Sequence, residues 1–359
     1  MSGYHRRMPG WSSCLLSLTA VLGLCLATAP APAPASPPAT PLNPFIQAPA
    51  PADEATAISQ VGPQIVDIDT KLGYQSAVGA GTGIVIDPGG VVLTNNHVIA
   101  GATDISATSL GTGQSYSAQV IGYDRGQDIA VIQLGGAGGL PSANIGNSSH
   151  VAVGDPIVAL GNAGGTGGAP SAAPGRVIGL NQTVSASDTL TGSTETLNGL
   201  IQVDAAIRPG DSGGPMVNSA NQVIGMNTAA SDKFRLGRGE GFAIPINQAM
   251  AIAGQIRSGA SSPTVHVGPT GFLGIGVSDS RSGSGASVVQ VIPDGPAAGA
   301  GIGPGSVITS VNGAAVNSAT GLTNILDQHH PGDTVALGVE NGSGAPQTVN
   351  VTLAPGPPG

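Results

Sequence analysis

The sequence of 359 residues contains only two cysteines, Cys14 and Cys25, and both lie near its amino terminus. The chain beyond Cys25 therefore cannot form a disulfide bond, even in an oxidising compartment. This excludes the disulfide-rich scaffolds of many small secreted proteins. The folded part of the chain must depend on its hydrophobic cores.

Charged and aromatic residues are scarce as well, at 9% and 3% of the sequence. With so few charges we expect few long amphipathic helices, and with so few aromatic rings the cores must consist mainly of Val, Ile, Leu and Ala. The formal net charge of −9 argues against nucleic acid as a partner. Glycine and proline are plentiful instead, with 58 and 29 residues, and they predict many turns in a chain long enough for two or three domains.

The first 29 residues have the pattern of a secretory signal peptide. His5-Arg6-Arg7 is a basic start, residues 11–27 are an apolar stretch, and Ala27-Thr28-Ala29 is a small-residue cleavage site. An uncleaved membrane anchor is an alternative, although the apolar stretch is short for crossing a bilayer. Twin-arginine and lipoprotein signals fit these residues less well.

Residues 30–58 form a tract rich in Pro and Ala that is typical of a linker or a propeptide. The tract holds too few core-forming residues to fold alone. Together with the signal it predicts an exported protein, whether secreted, periplasmic or in the cell envelope. We expect no stable membrane insertion after the signal is cleaved.

The sequence Gly-Asp-Ser-Gly-Gly-Pro at residues 210–215 is typical of a nucleophilic serine, because glycines let the backbone approach the group that the serine attacks. A serine hydroxyl needs a histidine to take its proton and a carboxylate to orient that histidine. His97 ends one β-rich run, and Asp128 begins another. We therefore predict a catalytic triad of His97, Asp128 and Ser212, in preference to the acids Asp104, Asp124 and Asp155.

Three alternatives to this interpretation remain. Residues 210–214 also fit the nucleophile elbow of α/β-hydrolases, but that fold needs a helix after the serine and both partners downstream, whereas Pro215 and β-rich runs follow here. A subtilisin-like order through Asp87 is weaker, since Asp87-Pro88-Gly89-Gly90 has the composition of a turn. The third alternative is a glycine-rich turn without catalysis.

Residues 59–258 consist of short β-rich runs separated by glycine turns, which predicts a barrel or a sandwich, and residues 248–257 predict a closing helix. Residues 259–269 have the composition of a linker. From residue 270 the pattern changes, and Gly-Phe-Leu-Gly-Ile at residues 271–275 opens a second folded region that runs to residue 355. We therefore predict two folded domains.

Four sequence blocks resemble the HtrA (Deg) family of trypsin-like serine proteases: residues 94–99, 128–131, 159–162 and 204–215. Residues 270–355 resemble a PDZ domain of the HtrA type. The resemblance implies a mainly β protein, in which a chymotrypsin-like double β-barrel protease domain is followed by a small α+β PDZ domain. His97 and Asp128 would come from the first barrel and Ser212 from the second.

The resemblance also implies the roles of further residues. The oxyanion hole would comprise Gly210, Asp211 and Ser212, and the primary specificity pocket would include Ala206 and Asn227. Without a carboxylate at its base, this pocket should favour aliphatic side chains over Lys or Arg. The PDZ domain would bind an extended C-terminal peptide by adding it as a strand to a sheet edge, while backbone N–H groups of the loop Phe272, Leu273, Gly274 and Ile275 hold its terminal carboxylate.

Asp211 departs from the family pattern, because HtrA proteases usually carry Asn at that position. In digestive trypsin-like enzymes the corresponding Asp pairs with an amino terminus freed by zymogen cleavage. No typical activation cleavage site precedes Ile65-Val66 in this chain. The partner of Asp211 therefore stays open.

We expect neither a cofactor nor a metal, since the histidines lack the HExxH spacing of zinc proteases. The expected activity is that of a serine endopeptidase acting on unfolded or damaged proteins. A peptide-binding chaperone or adaptor with a latent protease domain is the alternative, and the sequence leaves homo-oligomerisation open.

Overall fold

The structure is a computed structural model that describes residues 53–187, 194–228, 240–280, 283–341 and 346–359. All of these residues belong to one unit of the chain, Gln47–Gly359. The predicted signal peptide and most of the predicted linker lie outside the described residues. None of the helices in the described ranges is long and apolar enough to cross a bilayer.

Helix α1, Glu54–Val61, begins inside the segment that the composition assigned to a linker, residues 30–58. Asp53 caps it, since its side chain accepts a hydrogen bond of 3.1 Å from the backbone N–H of Thr56. Ala57 and Val61, four residues apart on one face, are buried in the protease core. Ordered structure therefore starts about five residues earlier than the predicted boundary at residue 59.

The first barrel is an antiparallel sheet in the order β5-β4-β1-β2-β3-β6, and it closes because β6 also pairs with β5. Its interior is built from aliphatic side chains such as Val66, Ile68 and Ile132. A short helix, α2, follows β3 and carries His97. The elements are β1 Ile65–Leu72, β2 Ala77–Asp87, β3 Val91–Thr94, α2 Asn96–Ile99, β4 Asp104–Ser109, β5 Ser115–Asp124 and β6 Ile129–Leu134.

The second barrel is closed in the order β10-β11-β12-β9-β8-β7. The predicted closing helix is present as α3, and its buried residues Ile246, Ala249 and Ala253 join a core that includes side chains from both barrels. This shared core fixes one barrel against the other. The elements are β7 Pro156–Gly161, β8 Ser171–Ser187, β9 Thr194–Val203, β10 Pro215–Val217, β11 Val223–Thr228, β12 Gly241–Pro245 and α3 Ile246–Arg257.

The predicted linker at residues 259–269 contains a strand. β13, Val265–Val267, pairs antiparallel with β5, and Val265 and His266 are buried. The chain therefore adds a seventh strand to the first sheet before it enters the C-terminal domain.

The C-terminal domain has a main sheet in the order β15-β16-β17-β19-β20, with β18 paired to β17, and a small sheet of β14 and β21. Helix α5 packs beside the edge strand β15, and Ser318 caps it. The elements are β14 Thr270–Phe272, β15 Ile275–Asp279, β16 Ala286–Val291, α4 Pro296–Gly299, β17 Val307–Val311, β18 Ala314–Ala315, α5 Ala319–Leu326, β19 Thr334–Glu340, β20 Pro346–Thr352 and β21 Ala354–Gly356.

The C-terminal domain contacts the first barrel close to His97. Asp327 accepts hydrogen bonds from Arg125 Nε at 3.0 Å and from Tyr123 Oη at 2.9 Å. The last residue, Gly359, accepts a hydrogen bond of 3.1 Å from the side chain of Asn96, the neighbour of His97. The turn after β5, which leads to Asp128, is therefore part of the contact between the two domains.

Candidate active site

His97 and Asp128 lie side by side, as the sequence predicts. His97 Nδ1 is 2.9 Å from Asp128 Oδ2 and 3.0 Å from Oδ1. The backbone N–H of His97 also donates to Oδ1 at 3.0 Å. Because a carboxylate only accepts, Nδ1 carries the proton, and Nε2 is the ring nitrogen that can act as a base. The histidine side chain is 36% exposed, while that of Asp128 is only 8% exposed.

Asp128 is held by groups that the sequence analysis did not identify. Its backbone has a left-handed φ of 54°, in the turn just before β6. The side chain of Asn95 donates to the Asp128 carbonyl oxygen at 2.9 Å, and Thr228 Oγ1 donates to Oδ2 at 3.2 Å. Thr228 ends strand β11 of the second barrel, so both barrels position this carboxylate.

Ser212 lies in a turn in which two positions require glycine. Gly210 has φ 96° and Gly213 has φ 83°. A Cβ at Gly210 would collide with the Asn162 carbonyl oxygen, and one at Gly213 would collide with Thr82. Strand β10 follows at Pro215 rather than a helix, which excludes the α/β-hydrolase alternative.

Thr82 of strand β2 fastens this turn to the first barrel. Its backbone N–H donates to the Ser212 carbonyl oxygen at 2.8 Å, and its hydroxyl donates to the Gly210 carbonyl oxygen at 2.7 Å. Thr94, three residues before His97, donates its hydroxyl to the Thr82 carbonyl oxygen at 2.7 Å. The serine turn and the histidine segment are therefore connected through one buried threonine, whose only sequence signal is its place between Gly81 and Gly83.

The partner of Asp211 is inside the second barrel. Asp211 is 4% exposed, and its Oδ1 lies 2.6 Å from Ser171 Oγ while its Oδ2 accepts a hydrogen bond of 2.9 Å from the backbone N–H of Arg208. Burial, which outweighs these hydrogen bonds and the Arg208 charge, raises the pKa of Asp211. Nothing in the sequence marks Ser171 as this partner.

The predicted oxyanion hole needs one correction. The backbone N–H of Asp211 donates to the Arg208 carbonyl oxygen at 3.0 Å, so it is engaged within the turn. Asp211 is therefore not a third donor. Gly210 and Ser212, on either side of it, remain the predicted donors.

The two residues predicted for the primary specificity pocket differ in accessibility. Ala206 is exposed. Asn227 is fully buried, and its side-chain N–H groups face the carbonyl oxygens of Leu160 at 2.9 Å and Pro215 at 3.4 Å. Asn227 thus connects β11 to its neighbours, and we find it in the barrel wall rather than on a surface that a substrate could contact.

The four residues predicted for PDZ peptide binding also differ in burial, since two of them are buried and two are half-buried. Leu273 is buried in the core of the C-terminal domain, and Gly274 has a left-handed φ of 79°. Ile275 is half-buried and begins the edge strand β15. Phe272 is half-buried and stacks on Tyr74 of the first barrel, with ring centroids 5.1 Å apart.

The acids that competed with Asp128 have local structural partners. Asp124 Oδ1 accepts from the backbone N–H of Gln127 at 3.0 Å, and Asp155 Oδ2 accepts from that of Ala152 at 2.9 Å. Asp87 Oδ1 accepts from Gly89 at 2.8 Å in the predicted hairpin turn. Asp104 is exposed on β4. None of these contacts involves His97.

Comparison with known proteins agrees with the fold. The trypsin-like peptidase domain family matches residues 81–226, and the PDZ domain family matches residues 271–353. The serine protease PepD of Mycobacterium tuberculosis is 36% identical over 342 residues, which cover 90% of this chain and 71% of that protein. The Do-like serine protease HtrA of Lactobacillus helveticus is 33% identical over 285 residues, which cover 75% of this chain and 67% of that protein.

Two further comparisons add a bacterial relative and a solved structure. The periplasmic pH-dependent serine endoprotease DegQ of Escherichia coli is 36% identical over 283 residues, which cover 77% of this chain and 59% of that protein. The HtrA-type protease AlgW with tripeptide is 28% identical with a TM-score of 0.48, and the alignment covers 86% of this chain and 98% of that chain.

The barrels and the matched families define a trypsin-like serine endopeptidase that carries a PDZ domain. The chain belongs to the HtrA family of serine proteases. The resemblance seen in the sequence blocks is thus confirmed.

Proposed function

We propose that the protein hydrolyses peptide bonds with His97, Asp128 and Ser212 as its catalytic triad. The observation that carries the proposal is the pairing of His97 Nδ1 with both oxygens of the Asp128 carboxylate, at 2.9 and 3.0 Å. This pairing fixes the ring tautomer, so that Nε2 can take the Ser212 proton during attack and return it to the leaving amine. Asp128 stabilises the imidazolium that forms between the two steps.

The backbone N–H groups of Gly210 and Ser212 stabilise the oxyanion of the tetrahedral intermediate. Each such donor contributes on the order of 10²–10³ to the rate. Support for this role comes from the two peptide planes that carry these N–H groups. The Pro209 carbonyl oxygen accepts a hydrogen bond of 2.8 Å from the Gly164 N–H, and the Asp211 carbonyl oxygen accepts one of 3.0 Å from the Gly214 N–H, so both planes are fixed before substrate binds. The site is preorganised in the sense that catalysis requires.

The substrates are peptide segments of unfolded or damaged proteins. Ala206 offers no charge at the base of the primary pocket, so small or medium aliphatic side chains fit there better than Lys or Arg, whose buried charge would lack a partner. The PDZ domain binds C-terminal peptides as an added strand on β15, next to helix α5. By analogy with its periplasmic relatives, the protein acts in the cell envelope.

The kinetic test compares Ser212→Ala and His97→Ala with the unmodified protein on an unstructured peptide. We expect kcat to fall by several orders of magnitude in each variant, with about 10³-fold catalysis over water remaining. The control is Ser149→Ala. Among the contacts that the structure gives, the Ser149 hydroxyl donates a hydrogen bond only to Asn147, two residues earlier. This variant should leave kcat unchanged. Near-native hydrolysis by Ser212→Ala would disprove the assignment.

A peptide library tests the specificity. We expect cleavage after Val, Ala or Leu, and preferred cleavage after Arg or Lys would contradict the pocket that we propose. If no peptide is cleaved while binding to the PDZ domain persists, the chain acts as a peptide-binding adaptor.

A further inference from the structure

The environment of Asp211 does not match an ionised carboxylate. Ser171 Oγ lies 2.6 Å from Asp211 Oδ1 and 2.9 Å from the carbonyl oxygen of Gly161. It also accepts a hydrogen bond of 3.2 Å from the backbone N–H of Ala163. Both short contacts join Ser171 to oxygen atoms, and each needs a proton between the two atoms.

A serine hydroxyl has one proton, and a backbone carbonyl has none. If Asp211 is ionised, the single proton of Ser171 has to serve two acceptors, and one close oxygen–oxygen contact stays without a hydrogen bond. If the carboxyl group is protonated, its Oδ1–H donates to Ser171, and Ser171 donates in turn to Gly161. Every oxygen then has a partner, while Oδ2 still accepts from the backbone N–H of Arg208.

We propose that Asp211 is a neutral carboxylic acid in the active enzyme, and that its hydrogen bond to Ser171 positions the oxyanion turn. This inference rests on the proposed function of Gly210 and Ser212, the residues on either side of it. Thr82 holds their carbonyl oxygens from the first barrel, and the Asp211–Ser171–Gly161 chain holds the middle residue from the second. Asp211 is a positioning residue, since the turn is what contacts the reacting atoms.

The surrounding charges favour the neutral form. In the part of the chain that the structure describes, the charged group that acts on Asp211 is Arg208 of the same turn. The groups that reach it from the neighbouring strands, Ser171 of β8 and Gly161 of β7, are uncharged. Burial has a larger effect than the Arg208 charge and raises the pKa of Asp211, so the geometry and the electrostatics agree.

The sign of the pH effect follows from this direction. The neutral acid is favoured in the folded protein. The contribution of Asp211 to stability is therefore fully present below its pKa in the unfolded chain, about 3.9, and is lost as the pH rises through its pKa in the folded protein. Ionisation leaves Ser171 with one proton for two acceptors and loosens the turn. Because the oxyanion donors act mainly in the transition state, the loss falls on kcat rather than KM.

The test uses Asp211→Asn, whose amide N–H can donate to Ser171 and whose oxygen can accept from Arg208 at any pH. The ratio of kcat for the unmodified enzyme to kcat for this variant cancels the titration of His97, which both share. We expect a ratio near one at low pH. As the pH rises, the ratio should fall by tenfold or more, and by at most about a hundredfold. Asp211→Ala should be slow at every pH. A ratio that is independent of pH would overturn the proposal.

A second readout is independent of catalysis. In protein carrying Ser212→Ala, carbon NMR of labelled aspartate carboxyls should show one resonance, absent after Asp211→Asn, that ionises at a higher pH than the resonances of the exposed aspartates. Its midpoint should match that of the kcat ratio. If the Asp211 carboxyl ionises at the same pH as the exposed aspartates, the proposal is overturned. If the Asp211 carboxyl is neutral in this experiment but the unmodified protein hydrolyses no peptide, the proposed function fails and the assignment of the neutral acid stands.

Discussion

Replacing Asp67 with asparagine should stabilise the protein at pH 8 and change its stability little at pH 4. Asp67 lies on β1 and is 5% exposed, and its Oδ1 has no hydrogen-bond partner among the described residues. It lines a cavity of about 570 Å³ with Asp69 and the glycine-rich segment 165–168. Burial, followed by the charge of Asp69, raises the pKa of Asp67 from 3.8 to about 6.

The magnitude follows from that change. An acid whose pKa is raised by folding contributes stability that is complete below its unfolded value, near pH 4, and is lost as the pH rises through about 6. A rise from 3.8 to about 6 corresponds to about 3 kcal/mol in the free energy of unfolding. An amide of the same shape has no charge to bury, so the variant should avoid about 2–3 kcal/mol of destabilisation at pH 8.

Urea unfolding at pH 4 and pH 8 measures this difference. The matched control is Asp104→Asn, which removes an exposed carboxylate from the neighbouring strand β4 and should change stability by less than about 0.5 kcal/mol at both pH values. An equal effect of Asp67→Asn at both pH values would show that the Asp67 charge is not destabilising. A less stable variant at pH 8 would refute the reasoning outright.

Three further predictions concern the site and the PDZ domain. Thr228→Val removes a hydrogen bond to Asp128 and should lower kcat about tenfold with KM nearly unchanged, measured by steady-state kinetics; a rise in KM alone would contradict this. In Asp211→Asn protein, kcat/KM should rise through about pH 6.5–7 as His97 loses its proton and then level off, whereas a maximum at pH 4 would exclude His97 as the base. Amidating a C-terminal peptide should weaken its binding severalfold or more by titration, and equal binding of acid and amide would exclude carboxylate recognition by residues 272–275.

Local sequence signals were sufficient to select the three residues of the proposed triad. Each of His97, Asp128 and Ser212 lies at the end of a strand pattern or within a glycine turn, where short-range chemistry restricts the backbone. The residues that hold the proposed triad in place gave no such signal. Thr82 contacts Gly210 across 128 residues of sequence, and Ser171 reaches Asp211 across 40, so their roles depend on how the barrels meet.

The errors in the fold prediction have similar causes. In the β-rich pattern of residues 59–258, local composition does not show where β7 starts. It starts only at Pro156, because Asp155 closes a turn onto Ala152. The three residues of β13 were too few to stand out in a segment with the composition of a linker, and their pairing with β5 is a long-range contact. The edges of these elements were therefore decided by local turns and tertiary pairing rather than by composition.

Labelling with a fluorophosphonate probe, followed by mass-spectrometric mapping of the modified residue, tests the central proposal most directly. A serine activated by His97 in a formed oxyanion hole attacks phosphorus, whereas an ordinary serine hydroxyl does not. We predict stoichiometric modification at Ser212, strongly slowed in His97→Ala and absent in Ser212→Ala. Modification of another serine, or no labelling of protein saturated with a peptide that binds its PDZ domain, would contradict a catalytic triad at this site.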